Sequence, residues 1–88
     1  MIKLVLDYYE RRFAGNVNNA FIHLVREIGE IALAIEKANS EHAKLKITEA
    51  MALLQYIASK YKLDIDTNIR IIYTKKMESL TKLDSKQS

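Results

Sequence analysis

Residues 21–35 read FIHLVREIGEIALAI. In this stretch the apolar side chains recur every three or four residues, at Phe21, Leu24, Val25, Ile28, Ile31, Ala32 and Ile35. Apolar residues at that spacing return to one side of an α-helix, whereas a half-buried strand would show strict alternation. The stretch therefore predicts a long amphipathic helix from about residue 19 to about residue 38.

Three more apolar stripes with helical spacing flank this stretch, and together they predict four helices. The first helix places its stripe at Ile2, Val5, Leu6, Tyr9 and Phe13; the third at Ile47, Ala50, Met51, Leu54, Ile57, Ala58 and Tyr61; the fourth at Ile69, Ile72 and Lys76, with Ile71 and Leu80 nearby. Gly15 and the asparagines after it end the first helix. Ser40 is a candidate N-cap for the third helix, and Asp64 or Asp66 for the fourth.

The composition agrees with an all-α chain. There are 88 residues with no proline, no cysteine and two glycines, which argues against turn-rich β folds, disulfide scaffolds and thiol catalysis. Short links make sequential helices antiparallel neighbours. We therefore predict a small antiparallel four-helix bundle over residues 1–80, followed by a disordered tail at 81–88. So short a chain has a thin core, so we expect oligomerisation to complete it.

The charge pattern gives little support for a nucleic-acid or membrane partner. The net charge is +3, from 14 basic and 11 acidic residues, and the basic residues are scattered rather than clustered. Nucleic-acid binding is permitted by this charge but no motif favours it. No apolar run approaches the ~20 residues of a membrane span, and the expected location is cytoplasmic.

Two pairs of residues with a spacing of three are the main candidates for chemistry. Glu27 and Glu30 lie beside the stripe of the second helix, and Lys46 and Glu49 lie beside that of the third. If these helices pack antiparallel, the two pairs can face each other. Clustered carboxylates repel unless a cation joins them, and oxygen ligands of this kind suit Mg²⁺ or Mn²⁺. The alternative is that Glu27 and Glu30 are surface acids, with Arg26 and Glu30 forming a helix ion pair.

Residues 24–31, LVREIGEI, resemble L-[VI]-E-E-x-G-E-[LI], a signature of the MazG-like proteins in the all-α nucleoside triphosphate pyrophosphohydrolase superfamily. In that family an ExxE motif is followed by ExxD on the next helix and by G-[IL]-D at the start of the last. Glu27 and Glu30 match ExxE, and KLD at residues 62–64 falls at G-[IL]-D. Counting back from KLD without a gap puts Lys46 and Glu49 at ExxD, whereas Glu49 and Ala52 would need a three-residue shift.

This resemblance, which covers roughly residues 19–78, implies a Mg²⁺-dependent hydrolase that converts a nucleoside triphosphate to a monophosphate and pyrophosphate. Glu27, Glu30 and Glu49 would be the metal ligands and catalytic acids, and Lys46 would contact the nucleotide phosphates. Lys75 and Lys76 would also contact the nucleotide, or else they belong to a solvated face of the last helix. Two departures stand out: Arg26 replaces a glutamate, and Lys46 replaces a metal ligand. They imply weak or altered activity, or a catalytically inactive nucleotide-binding or dimerisation/regulatory module.

Three other features leave alternatives open. Gly29 lies in mid-helix, where it is either a tolerated weak point or a place where a backbone or ligand comes close. His23 and His42 are lone histidines without a partner at ligand spacing; His23 lies four residues before Glu27 and either lines the same site or is a surface histidine. Apolar residues outside the main stripes, such as Tyr8, Ile71 and Leu80, predict a homodimer or homotetramer.

Overall fold

The computed structural model describes residues 2–87, which form four α-helices and no strand. The helices are α1 (Lys3–Phe13), α2 (Val17–Glu36), α3 (Ser40–Lys60) and α4 (Ile65–Gln87). The predicted all-α class and the number of helices are confirmed. None of the helices in this range is long and apolar enough to cross a membrane.

Short polar side chains define where the helices begin. The Asn16 carboxamide oxygen accepts a hydrogen bond from the Asn19 backbone N–H at 3.0 Å. Asn39, and not the predicted Ser40, caps α3, because its side chain accepts from the backbone N–H of His42 at 3.1 Å. Asp64 accepts from the backbone N–H of Thr67 at 3.2 Å. Each side chain thus satisfies an N–H group that has no partner within its helix.

Helices α1, α2 and α3 pack together in the manner of a bundle. α2 and α3 contact each other along their length, and the three-residue link between them makes them an antiparallel hairpin. α1 covers one side of this hairpin and packs mainly on α3. The buried core where the three helices meet consists of Phe13, Ala20, Leu24, Ala50, Leu53 and Tyr56.

A polar contact attaches α1 to α3 at the edge of this core. The buried Tyr56 hydroxyl donates to Glu10 Oε2 at 2.6 Å and accepts from the backbone N–H of Gly15 at 3.2 Å. Lys60 Nζ also donates to Glu10 Oε2, at 2.8 Å. These hydrogen bonds from Lys60 and Tyr56 hold the pKa of the Glu10 carboxyl below its ordinary value.

The fourth helix departs from the expected arrangement. α4 makes no extensive contact with the other three helices, so it projects from them instead of lying beside α3 as the short link predicted. Its residues are exposed except for Ile65, which is half-buried, among those whose burial is described. α4 also continues as a helix to Gln87, across residues predicted to form a disordered tail. Ser88, the last residue of that tail, lies outside the described residues.

The predicted stripes overestimated the core. Of the α2 stripe, only Leu24 is buried and Ile31 is half-buried. Of the α3 stripe, Ala50 and Ala58 are buried and Ile57 is half-buried. The remaining stripe residues of both helices are exposed. The side of the hairpin away from α1 therefore carries apolar residues with no cover in the single chain.

Candidate functional site: carboxylates around Lys46

The structure brings together the four residues of the two spaced pairs. Lys46 Nζ lies 2.8 Å from Glu30 Oε2, 3.6 Å from Glu27 Oε2 and 3.7 Å from Glu49 Oε1. Glu27 and Glu30 come from α2, and Lys46 and Glu49 come from α3. Because the two helices run antiparallel and each spacing of three keeps a pair on one side, the pairs meet across the α2–α3 contact. We call these four residues the Lys46 cluster.

The cluster is more enclosed at its centre than at its edge. The side chains of Lys46 and Glu27 are 17% and 19% exposed, whereas those of Glu30 and Glu49 are 48% and 38% exposed. The hydrogen bond from Lys46 holds the pKa of the Glu30 carboxyl below its ordinary value. The same bond, together with the charges of Glu27 and Glu49, raises the pKa of the Lys46 ammonium, and partial desolvation opposes both shifts.

One oxygen of the cluster lacks a hydrogen bond. Glu27 Oε2 is buried and has no hydrogen-bond partner, since the Lys46 ammonium at 3.6 Å is beyond hydrogen-bond range. A buried carboxylate oxygen in this state is a strong unused acceptor. It could take a metal ion or a donor group of a ligand.

The chemistry of the cluster fits a hard divalent cation, although the ammonium already lies among the carboxylates. Three carboxylates are the ligand type that Mg²⁺ and Mn²⁺ prefer, and Glu27 Oε2 is unused. Across residues 2–87, however, no group of three or more acidic or histidine side chains is arranged to hold a metal ion. Because the Lys46 ammonium already pairs with all three acids, it would compete with a divalent cation for them.

A pocket opens next to the cluster, between α1 and the hairpin. It has a volume of about 330 Å³. Its lining combines aromatic rings, one guanidinium and two carboxylates of the cluster, from Tyr8, Tyr9, Arg12, Phe13, His23, Glu27, Leu45, Glu49 and Leu53. The ring centroids of Phe13 and His23 are 5.1 Å apart, so His23 packs on a core aromatic and also lines this pocket.

Sequence reasoning missed the contribution of α1 to this pocket. Tyr9 and Phe13 were assigned to a core stripe, and Tyr8 and Arg12 were given no role in a site. The guanidinium of Arg12 lies 5.9 Å from the centre of the Tyr8 ring and 5.3 Å from that of Phe13. The available signal was the short run of aromatic and basic residues at positions 8–13, but its position beside the acids depends on how α1 packs.

A second, more open groove lies on the α2 side of the cluster, with a volume of about 490 Å³. Its lining includes His23, Arg26, Gly29 and Glu30. A Cβ atom built on Gly29 would meet nothing within 4 Å. In the single chain, therefore, no backbone comes close at Gly29, so the glycine is either a tolerated weak point of α2 or a place that a ligand or a second chain approaches.

The other predicted residues do not join the cluster. Lys75 and Lys76 lie on α4, which does not pack on the hairpin, and Lys76 Nζ lies 5.0 Å from the centre of the Tyr73 ring on its own helix. His42 is exposed in the first turn of α3, where its backbone N–H is capped by Asn39. Glu30 pairs with Lys46, where a pair with Arg26 was the alternative.

Comparison with known proteins adds no relative. No protein-family model, no curated protein and no solved structure matches the chain.

Proposed function

We propose that the chain is a MazG-like protein that binds a nucleoside triphosphate at the Lys46 cluster and hydrolyses it slowly to the monophosphate and pyrophosphate. The proposal depends on one observation. Two pairs of residues, spaced as in the ExxE and ExxD motifs of that family, meet across an antiparallel helix pair, with the Lys46 ammonium 2.8–3.7 Å from the three carboxylates.

In this proposal Glu27, Glu30 and Glu49 would hold Mg²⁺ or Mn²⁺. Such an ion supplies positive charge for the phosphates and makes a bound water more acidic. The chain's own contribution is to place three acids on two helices, so that they are fixed relative to each other by the packing of α2 on α3. Lys46 would bind a phosphate oxygen once it is released from the acids.

The pocket between α1 and the hairpin would take the base of the nucleotide. Aromatic faces at Tyr8 and Tyr9 provide stacking surface. Arg12 can donate hydrogen bonds, and Glu27 and Glu49 can accept them. We expect the preferred base to present an acceptor to Arg12 and an amino group to Glu27 and Glu49. A base without an amino group should bind less well, because a buried carboxylate without a donor costs free energy.

The test of this proposal is a turnover screen. Pyrophosphate release is measured with all common NTPs and dNTPs, with Mg²⁺ and with Mn²⁺, for the wild-type chain and for Glu30→Gln. Glu78→Gln on α4 is the matched control, since it removes the same charge from an exposed position far from the site in sequence. We expect slow release that Glu30→Gln abolishes and Glu78→Gln preserves. If neither hydrolysis nor nucleotide binding is detected with any of these substrates, the proposal is refuted.

Metal binding can be measured separately from turnover. Binding of Mg²⁺ or Mn²⁺ to the folded chain should raise its melting temperature by mass action, and Glu30→Gln should remove that increase while Glu78→Gln keeps it. Without metal, Glu30→Gln should lower stability, because the Lys46 ammonium lies 2.8 Å from Glu30 and holds its pKa below the ordinary value, so attraction outweighs repulsion from the other acids. An unchanged or higher stability of the metal-free variant would show instead that repulsion between the acids is the main effect.

A second candidate, a catalytically inactive member of the same fold with a nucleotide-binding or dimerisation role, is favoured by the Lys46 ammonium itself. It already pairs with all three acids, and it cannot bind a metal. Lys46→Glu separates the two candidates. If Lys46 is what weakens a catalytic site, this change should tighten metal binding in a calorimetric titration and increase pyrophosphate release. It should also destabilise the metal-free chain, because it replaces an attraction by a repulsion.

The inactive candidate predicts a different result for Lys46→Glu. Stability without metal would still fall, but pyrophosphate release would remain at the background rate even with saturating metal. If neither metal affinity nor metal-free stability changed, Lys46 would not act at the centre of the cluster, and both candidates would lose their structural basis.

A further inference from the structure

The exposed side of the α2–α3 hairpin carries two apolar seams with the same spacing. On α2 the seam consists of Phe21, Val25, Ile28, Ala32 and Ile35; on α3 it consists of Ile47, Met51, Leu54, Ala58 and Tyr61. Both follow the steps 4, 3, 4 and 3, which is the heptad spacing of helices that pack in bundles and coiled coils. All of these residues except Ala58 are exposed in the single chain.

The two seams lie on the same side of the hairpin. On each helix, the seam residues come one position after the residues that face the other helix. One position along an α-helix turns the side chain by about 100°. Each seam is therefore rotated by about a quarter turn, in the same sense, from the side that faces the other helix. For an antiparallel pair, equal displacements of the same sense bring both seams to one side. α1 packs on the opposite side, through contacts such as Tyr56 with Glu10. The seams therefore form one continuous apolar face, which we call the hairpin face.

The surface of the chain is larger than a compact monomer needs. A compact protein of 10.2 kDa exposes about 5,300 Å², whereas this chain exposes 7131 Å². Its radius of gyration is 16.8 Å, against about 12 Å for a compact domain of this length. The difference in area, about 1,800 Å², is within the range of about 1,000–2,500 Å² that each subunit buries in obligate homodimers. The projecting α4 accounts for part of this area, and the hairpin face adds to it.

We propose that the hairpin face binds the same face of a second copy of this chain, forming a four-helix bundle from two α2–α3 hairpins. Four-helix bundles need two seams from each half, and the hairpin provides two of equal length. The face carries no charged side chain at any of its ten seam positions, so two copies can meet without burying an unpaired charge. A twofold axis makes such a face self-complementary.

This proposal locates the interface differently from the sequence prediction. The off-stripe residues Tyr8, Ile71 and Leu80 were expected to drive assembly, whereas the hairpin face consists of the main-stripe residues that were expected to form the core of one chain. The inference does not depend on nucleotide binding or hydrolysis. A chain that dimerises without any turnover would support it and would still refute the proposed catalysis.

The experiment is sedimentation equilibrium of the full chain from 1 to 100 µM, combined with circular dichroism to confirm that each variant keeps its helices. Val25→Glu and Met51→Glu each place a charge within one seam. Leu4→Glu is the matched control, because Leu4 is an equally apolar, exposed residue on α1, on the other side of the hairpin. We expect a wild-type dimer or a dimer of dimers, at least a hundredfold weaker association for the two seam variants, and no change for Leu4→Glu.

Two results would overturn the proposal. One is a wild-type chain that remains monomeric at 100 µM. If that monomer binds anionic lipid vesicles in a parallel co-sedimentation assay, the face serves a membrane and the proposal is overturned as well. The other is an oligomer that survives both seam variants but dissociates in Leu80→Glu, since the contact would then lie on α4. Because both seam residues are exposed in the single chain, either variant alone is sufficient if the other fails to fold.

Discussion

Replacing Tyr56 by Phe should measure how strongly α1 is attached to the hairpin. The ring of Tyr56 is buried, with 1% of the residue exposed, and Phe keeps that ring, so only the hydroxyl is lost. The hydroxyl donates to Glu10 Oε2 at 2.6 Å and accepts from Gly15 N–H at 3.2 Å. The substitution therefore tests two hydrogen bonds with little change in packing.

The size of the effect follows from these two bonds. A hydrogen bond to a charged group contributes about 1.5–3 kcal/mol and a neutral one about 0.5–1.5 kcal/mol. Lys60 stays bonded to Glu10, and water can reach the exposed Gly15, so the loss should fall near the lower end of their sum, at about 2–3 kcal/mol. For a chain of this length, that corresponds to a fall in melting temperature of roughly 8–24 °C.

The assay is thermal and urea unfolding followed by circular dichroism, with Tyr73→Phe as the control. Tyr73 lies on α4, outside the hairpin face, and is 60% exposed, so removing its hydroxyl should change stability by less than about 0.5 kcal/mol. A double-mutant cycle with Glu10→Gln isolates the coupling between Tyr56 and Glu10. If Tyr56→Phe is as stable as the wild type, α1 is held by its apolar contacts and by the Lys60–Glu10 ion pair, and the role given to the hydroxyl is refuted.

Two further predictions concern glycine and pH. Gly29→Ala should stabilise the chain by about 0.5–1 kcal/mol, since the added Cβ meets open space. Gly15→Ala should destabilise it, because φ is +79° there. A loss of stability of Gly29→Ala in urea unfolding would show that a ligand or second chain comes close. Stability should fall below about pH 4.5, as the carboxyls of Glu10 and Glu30, whose pKa values are lowered in the folded chain, become protonated. It should fall again above about pH 10.5, as Lys46 and Lys60, whose pKa values are raised, lose their protons. Urea midpoints measured from pH 3 to pH 11 would contradict this if they showed no decline at either end, and Glu30→Gln should reduce the acid decline.

Local patterns predicted four helices and the two pairs of the cluster. The apolar spacing of residues 21–35 and the lack of proline predicted α2, and the spacing of three within each pair indicated that Glu27, Glu30, Lys46 and Glu49 can face each other if α2 and α3 pack antiparallel, with surface acids as the alternative. The choice of Asn39 over Ser40 as the cap of α3 was missed, since both residue types are good caps and the decision depends on backbone geometry one residue away.

The burial of each stripe was beyond the reach of the sequence. Periodicity shows which side of a helix is apolar, but it does not show whether the cover comes from the same chain. Val25 and Met51 have the spacing expected of core residues, yet both are exposed. The pocket was missed for a related reason: Tyr8 and Arg12 reach it only because α1 packs over α3, a contact between segments more than forty residues apart.

Lys46 differs from a metal ion in being covalently attached to the chain. A dissociable cation neutralises a group of acids only as far as its concentration in the medium allows, and a chelator can remove it. The ammonium of Lys46 is supplied at a fixed, high effective concentration by its own backbone. Lys46 thus neutralises these acids between α2 and α3 even where no divalent ion is supplied.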